Sequence, residues 1–127
     1  DYYRIATPAI NPLKCIGLLA AGHNPGTAEA TLLDISCGGM AVVDDHRKIV
    51  FEPMTTYENC RIALPGIGII NVTIEVKSTF EVTLKNGVAC KRAGCEFVAL
   101  PEKMLVMAQR YIFKLERERT ARRKGMG

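Results

Sequence analysis

Asp34, Ser36 and Gly39 stand in the stretch LLDISCGGMAVVDD (32–45), which places an acid, a hydroxyl and a bare backbone position between two apolar runs. An ionised carboxylate only accepts hydrogen bonds, so Asp34 suits the imino and amino donors of a guanine edge, and the Ser36 hydroxyl can donate to a phosphate or to a carbonyl. Gly39 has no Cβ and lets a ligand or another strand close on the backbone. These residue types also serve a plainer purpose. Asp and Ser often stabilise turns by bonding their own backbone, and on these three residues alone the turn is the commoner reading. Arg4 stands isolated in DYYRIATPAI, before any regular apolar pattern is established.

Other chemistry finds little support. The five cysteines, at 15, 37, 60, 90 and 95, are odd in number, lack a CxxC pair and mostly fall among apolar neighbours. They read as small buried hydrophobes in a reducing cytosol, not as a disulfide framework or a metal site. His23 and His46 lie far apart in polar, turn-like surroundings, with no nucleophile, base and orienter set nearby, so an enzyme is not expected. The net charge is +4, and KLERERTARRK (114–124) carries much of the local excess. With few aromatics interleaved, this run reads as a solvated basic helix or tail, and no DNA or RNA partner is expected.

The elements that must hold the candidate residues follow from pattern. At 127 residues and 48% hydrophobic content the chain fits one domain, 1–127, with a single core. No apolar stretch approaches the roughly 18 residues of a membrane span, so a soluble protein is expected. The chain opens at Asp1 without a signal-peptide pattern and reads as a piece of something longer, with a domain upstream. LKCIGLLA and TAEATLLDIS flank GHNPGT, whose Asn24, Pro25 and Gly26 are strong turn formers, and so predict a hairpin. GMAVV, NCRIAL, the run 68–76, STFEVTL and VACKRAGCEFVAL supply further strands, with Asn86-Gly87 as a hairpin turn before the last. A mostly β body over 13–100, barrel or sandwich, is the expectation. From Pro101, Leu105, Ala108, Ile112 and Leu115 recur at helical spacing, with Met104 and Tyr111 alongside, which predicts a helix over 101–122.

YYRIATP before the first strand, D-x-S-x-x-G between two strands, AGCEFVAL on the last strand and QRYIFKLERERTAR in the helix together resemble a PilZ domain, most of all the carboxy-terminal PilZ domain of YcgR-type flagellar brake proteins. The likeness covers nearly the whole chain in order, with 44–88 matching only in strand pattern.

The resemblance implies a six-stranded antiparallel PilZ β-barrel with a C-terminal α-helix, binding cyclic di-GMP as ligand, with no cofactor. It implies a site of Arg4, Asp34, Ser36 and Gly39. Arg4 fits the second arginine of an R-x-x-x-R motif whose first would fall one position before Asp1. Ser36 would contact phosphate or fix the turn, and Gly39 would keep the floor open. Arg92 lies on a strand that passes the ligand in the family and joins the set, although an exposed strand arginine is the commoner explanation; Gly94 reads as a point of close strand approach. Residues 1–12 would form a switch or linker that is mobile when empty and orders over the ligand. The output implied is restraint of flagellar rotation through stator or rotor-switch proteins, in the cytoplasm at the flagellar basal body, as monomer or ligand-induced dimer. Control of pili, exopolysaccharide or transcription, or a non-binding interaction scaffold, are the alternatives.

Overall fold

A computed structural model of the chain describes residues 4–8, 11–19, 27–44, 51–83 and 86–126. Both histidines and the Asn24-Pro25-Gly26 turn lie outside the described residues. Among the described residues, seven strands and one helix follow in order: β1 (Ile5–Ala6), β2 (Lys14–Leu19), β3 (Thr27–Ile35), β4 (Gly39–Asp44), β5 (Thr56–Leu64), β6 (Gly68–Thr83), β7 (Ala89–Phe97) and α1 (Glu102–Met126).

All pairings are antiparallel. Six strands close on themselves in the order β3-β2-β5-β6-β7-β4, because β3 pairs with β2 on one side and β4 on the other. The expected six-stranded barrel is therefore present, with one short strand added. β2 covers β3 only over Thr27–Thr31, and β1 takes up the edge beyond it, pairing Ile5 with Ile35 and Ala6 with Asp34. Part of the segment expected to be mobile without ligand is thus a strand of the sheet. Thr7 fastens it further: its N–H donates to the Leu33 carbonyl at 3.0 Å and its hydroxyl to the Leu32 carbonyl at 2.7 Å.

Alternation fills the barrel. Ile70, Val72, Ile74 and Val76 of β6 are buried, as are Ile62 and Leu64 of β5 and Cys60 and Cys95 across the interior. The run 68–76 and STFEVTL, which read as two strands, are one: β6 continues through a bulge at Lys77, where the register shifts between Val76 and Ser78. A second bulge sits at Leu33 of β3, between Leu32 and Asp34. Each extra residue reverses which face the following side chains occupy. The Asn86-Gly87 turn joins β6 to β7, with Asn86 Oδ1 accepting from the Val88 N–H at 3.0 Å.

The helix predicted over 101–122 extends to Met126. Pro101 stands just outside it, its carbonyl accepting from the Leu105 N–H at 2.9 Å, as suits a residue with no N–H of its own to place in a first turn. Ala108, Tyr111, Ile112 and Leu115 are buried, and Leu105 is half-buried. α1 packs against β6 and β1.

Candidate functional site

Without its bulge, β3 would send Asp34 into the barrel after Ala30 and Leu32. The extra residue at Leu33 instead gives the interior to Ile35 and turns Asp34 outward. Across the outer surface Asp34 then pairs with Ala41, Ala41 with Gly94 and Gly94 with Ser78. The next row runs Thr31, Val43, Arg92, Phe80. Ala41, which is buried, and the partly covered Gly94 are the small residues between Asp34 at one end and Arg92 and Phe80 beside it. A Cβ at Gly94 would lie 2.9 Å from Ser78 Oγ, so a larger residue there would crowd the neighbouring strand.

Three of the expected site residues meet at Asp34. Arg4 Nη1 donates to its Oδ1 at 2.9 Å, carrying the guanidinium from the start of β1 onto β3. Arg92 Nη2 lies 3.6 Å from Oδ2, close enough for an ion pair and too far for a good hydrogen bond. One carboxylate between two guanidiniums leaves a local charge of +1, which suits an anionic ligand. The Arg4 side chain is 52% exposed and that of Asp34 only 18%, so the arginine is the arm free to move and the acid the fixed point.

Ser36 and Gly39 do something else. Ser36 is 2% exposed, and its hydroxyl accepts from the N–H groups of Gly38 and Gly39, both at 3.1 Å, while donating to the Gly39 carbonyl at 3.3 Å. Of the two roles expected for this serine, fixing the turn is the one these bonds perform. Gly39 does not leave a floor open. A Cβ there would sit 2.1 Å from the Cys95 carbonyl oxygen, so the absent side chain is filled by β7 itself. The knot also meets the helix, since Cys37 shares a hydrogen bond with Gln109; burial pushes the Cys37 thiol up and that bond draws it partly back.

Phe80 is the residue that sequence reasoning missed. In phase with Ile70, Val72, Ile74 and Val76 it counts as core, yet the bulge at Lys77 places it outside, 49% exposed and directly opposite Arg92. The Arg92 guanidinium carbon stands 5.4 Å from its ring centroid, within cation–π range. Beyond Asp34, a cleft of about 330 Å3 opens between the amino-terminal segment and β2–β3, lined by Thr7, Pro8, Pro12, Lys14, Thr31, Leu32 and Leu33. Among the described residues no group of three or more His, Cys, Asp or Glu is placed to hold a metal ion. None of the described helices is long and apolar enough to cross a membrane.

No protein-family model matches the chain. It is 42% identical over 120 residues to the flagellar brake protein YcgR of Nitrosospira multiformis, an alignment that takes in 93% of this chain and 46% of that protein. It is 41% identical over 126 residues to the flagellar brake protein YcgR of an Azoarcus species, covering 98% of this chain and 49% of that protein. The chain spans about half the length of these relatives. Among solved structures, the PilZ domain of YcgR from Escherichia coli with c-di-GMP superposes with a TM-score of 0.79 at 25% identity, covering 98% of this chain and 95% of that one.

Proposed function

The chain is a YcgR-like PilZ domain, and on that premise we propose that it is the cyclic di-GMP receptor half of a flagellar brake. The observation that carries this reading is the Arg4–Asp34 ion pair, which joins the strand at the amino end to the barrel through two groups a guanine nucleotide would compete for. Asp34 is a fixed acceptor for the N–H donors of a guanine edge. Arg4 is a mobile fork for a phosphate, among the stronger hydrogen bonds available to a protein. Ligand entry exchanges the internal pair for two external ones: the carboxylate takes the base and the released guanidinium takes the phosphate. Arg92 follows the same logic from the opposite side of Asp34. The ligand can move the amino-terminal segment only to the extent that it binds the rearranged site more tightly than the resting one.

The site needs no chemistry on the ligand, so the module acts by occupancy and not by turnover. In a protein of the relatives' full length, the consequence would fall on the flagellar motor, through its stator or rotor-switch proteins, at the cytoplasmic side of the basal body. Titration calorimetry with cyclic di-GMP tests the reading. Wild type should bind, and Arg4→Ala should bind at least tenfold more weakly, about 1.4 kcal/mol or more. Both should be measured at low and moderate salt, because an exposed arginine contact is screened. Absence of binding by the wild type would leave an interaction scaffold as the better description.

A further inference from the structure

We propose that the outward face of α1 docks on an anionic lipid surface, with Lys103, Arg110 and Arg117 meeting the headgroups and Val106 and Phe113 entering the interfacial layer. This face shares no residue with the Asp34 site, and its test involves no nucleotide.

A helix turns about 100° per residue, so these five side chains share an arc of about 80°. That arc lies almost opposite the one formed by Ala108, Tyr111, Ile112 and Leu115, which are buried. All five outward residues are exposed, Val106 by 39% and Phe113 by 60%. An aromatic ring directed away from the core contributes nothing to the core. Apolar spacing therefore has two registers in this helix, one covered by the barrel and one left open by it.

Charge is segregated in the same direction. α1 holds eight of the chain's 17 lysines and arginines but three of its 13 acids, so the rest of the molecule is close to neutral. On its flanks the protein uses these cations: Lys114 Nζ lies 2.7 Å from Glu118 Oε1, and Arg119 donates to the Ala6 carbonyl. On the outward arc it does not. Among the described residues, Lys103, Arg110 and Arg117 stand within ion-pair distance of no acid. Cations and apolar side chains interleaved on one face suit a helix lying in a membrane interface, where basic stems reach to the headgroups and a ring settles at the acyl boundary. A duplex nucleic acid would take the cations and leave Phe113 in water. Because α1 packs on β6 and β1, its far side is a convex ridge with no groove for a partner helix, and a fluid layer conforms to such a ridge. With only two apolar side chains in the arc, attraction rests mainly on charge and must weaken with salt.

The chain has no tryptophan, so Phe113→Trp places a single reporter on this face. Its emission should move to shorter wavelength with vesicles of mixed phosphatidylglycerol and phosphatidylcholine and stay unchanged with phosphatidylcholine alone. In co-sedimentation with the mixed vesicles the wild type should bind at low salt and be released as salt is raised. Arg110→Glu should bind roughly fivefold more weakly or worse, and Phe113→Ser about threefold more weakly or worse, both melting within a few degrees of wild type. Arg61→Glu, which reverses an exposed charge on β5, should lose much less. A wild type that does not sediment with the mixed vesicles would overturn the assignment, and so would an Arg61→Glu loss as large as that of Arg110→Glu, which would trace binding to net charge and not to this face. A reporter silent with vesicles but shifted by duplex DNA or polyglutamate at the same salt would give the face to a different polyanion and overturn lipid as its occupant. None of these outcomes touches the receptor reading.

Discussion

Ser36 commits its hydroxyl to its own loop, so its replacement is first a stability change. In Ser36→Ala two N–H groups in a buried turn lose their acceptor, and unfolding in urea should show a loss of about 1–3 kcal/mol. A variant as stable as wild type would mean that the Gly38 and Gly39 amides find other acceptors. Gly39→Ala should be worse, because the added carbon meets backbone 2.1 Å away and β4 cannot yield without breaking its pairing with β7. Asp34→Ala should separate from both. It breaks a pair with the exposed Arg4, worth about 1 kcal/mol or less, and a longer 3.6 Å contact with the half-buried Arg92, yet it removes the acceptor proposed for guanine. Calorimetry should therefore show affinity falling at least tenfold while the urea midpoint barely moves. The D-x-S-x-x-G string was visible in the sequence from the start, but its division of labour was not. Nothing in a serine's identity says whether its hydroxyl faces a ligand or its own backbone two and three residues on.

The elements were legible wherever period two ran unbroken, and misread where it did not. The strand-forming runs, the β2–β3 and β6–β7 hairpins and the buried face of α1 follow from apolar spacing and turn residues, while the closed six-stranded barrel was implied only by the family resemblance. The bulges at Leu33 and Lys77 leave no such mark, since an inserted residue looks like any other until pairing partners are known. They hide the outward turn of Asp34 and Phe80, the two ends of the candidate site. The contact made by the far end of α1 was not legible: KLERERTARRK (114–124) read as a solvated basic helix or tail, whereas Arg119 donates through Nη2 to the Ala6 carbonyl of β1. That bond links the helix to the strand that follows Arg4. Arg119→Ala should accordingly speed hydrogen exchange at the Thr7 amide, which donates to Leu33, and leave amides of β5 and β6 unchanged. Uniform protection in the variant would show that β1 holds to β3 unaided.

At the scale of the whole molecule, the closed barrel and its helix bury ionisable groups that must stay neutral. Burial pushes the Cys95 thiol from 9.0 up to about 12, and the Tyr111 hydroxyl from 10.0 up to about 12. Both are acids whose folded value is raised, so the unfolded chain releases their protons first. The stabilisation is complete below about pH 9 and is lost as pH climbs towards 12. Under reducing conditions the melting temperature should fall steadily from pH 9 to 11, and a flat profile would show that these groups ionise equally well in the folded state. The two-residue β1 sets a different property, which is mechanical. Because β1 has only two residues and Arg4 stands just ahead of its first pair, tension drawn away from the sheet at the amino end peels its bonds one after another instead of shearing them together. Such a joint is a weak fuse that yields well before the barrel does. A ligand gripped by both Arg4 and the barrel would reinforce it at its first rung, so the rupture force of the amino end, read in a single-molecule pulling experiment, should rise when the site is filled.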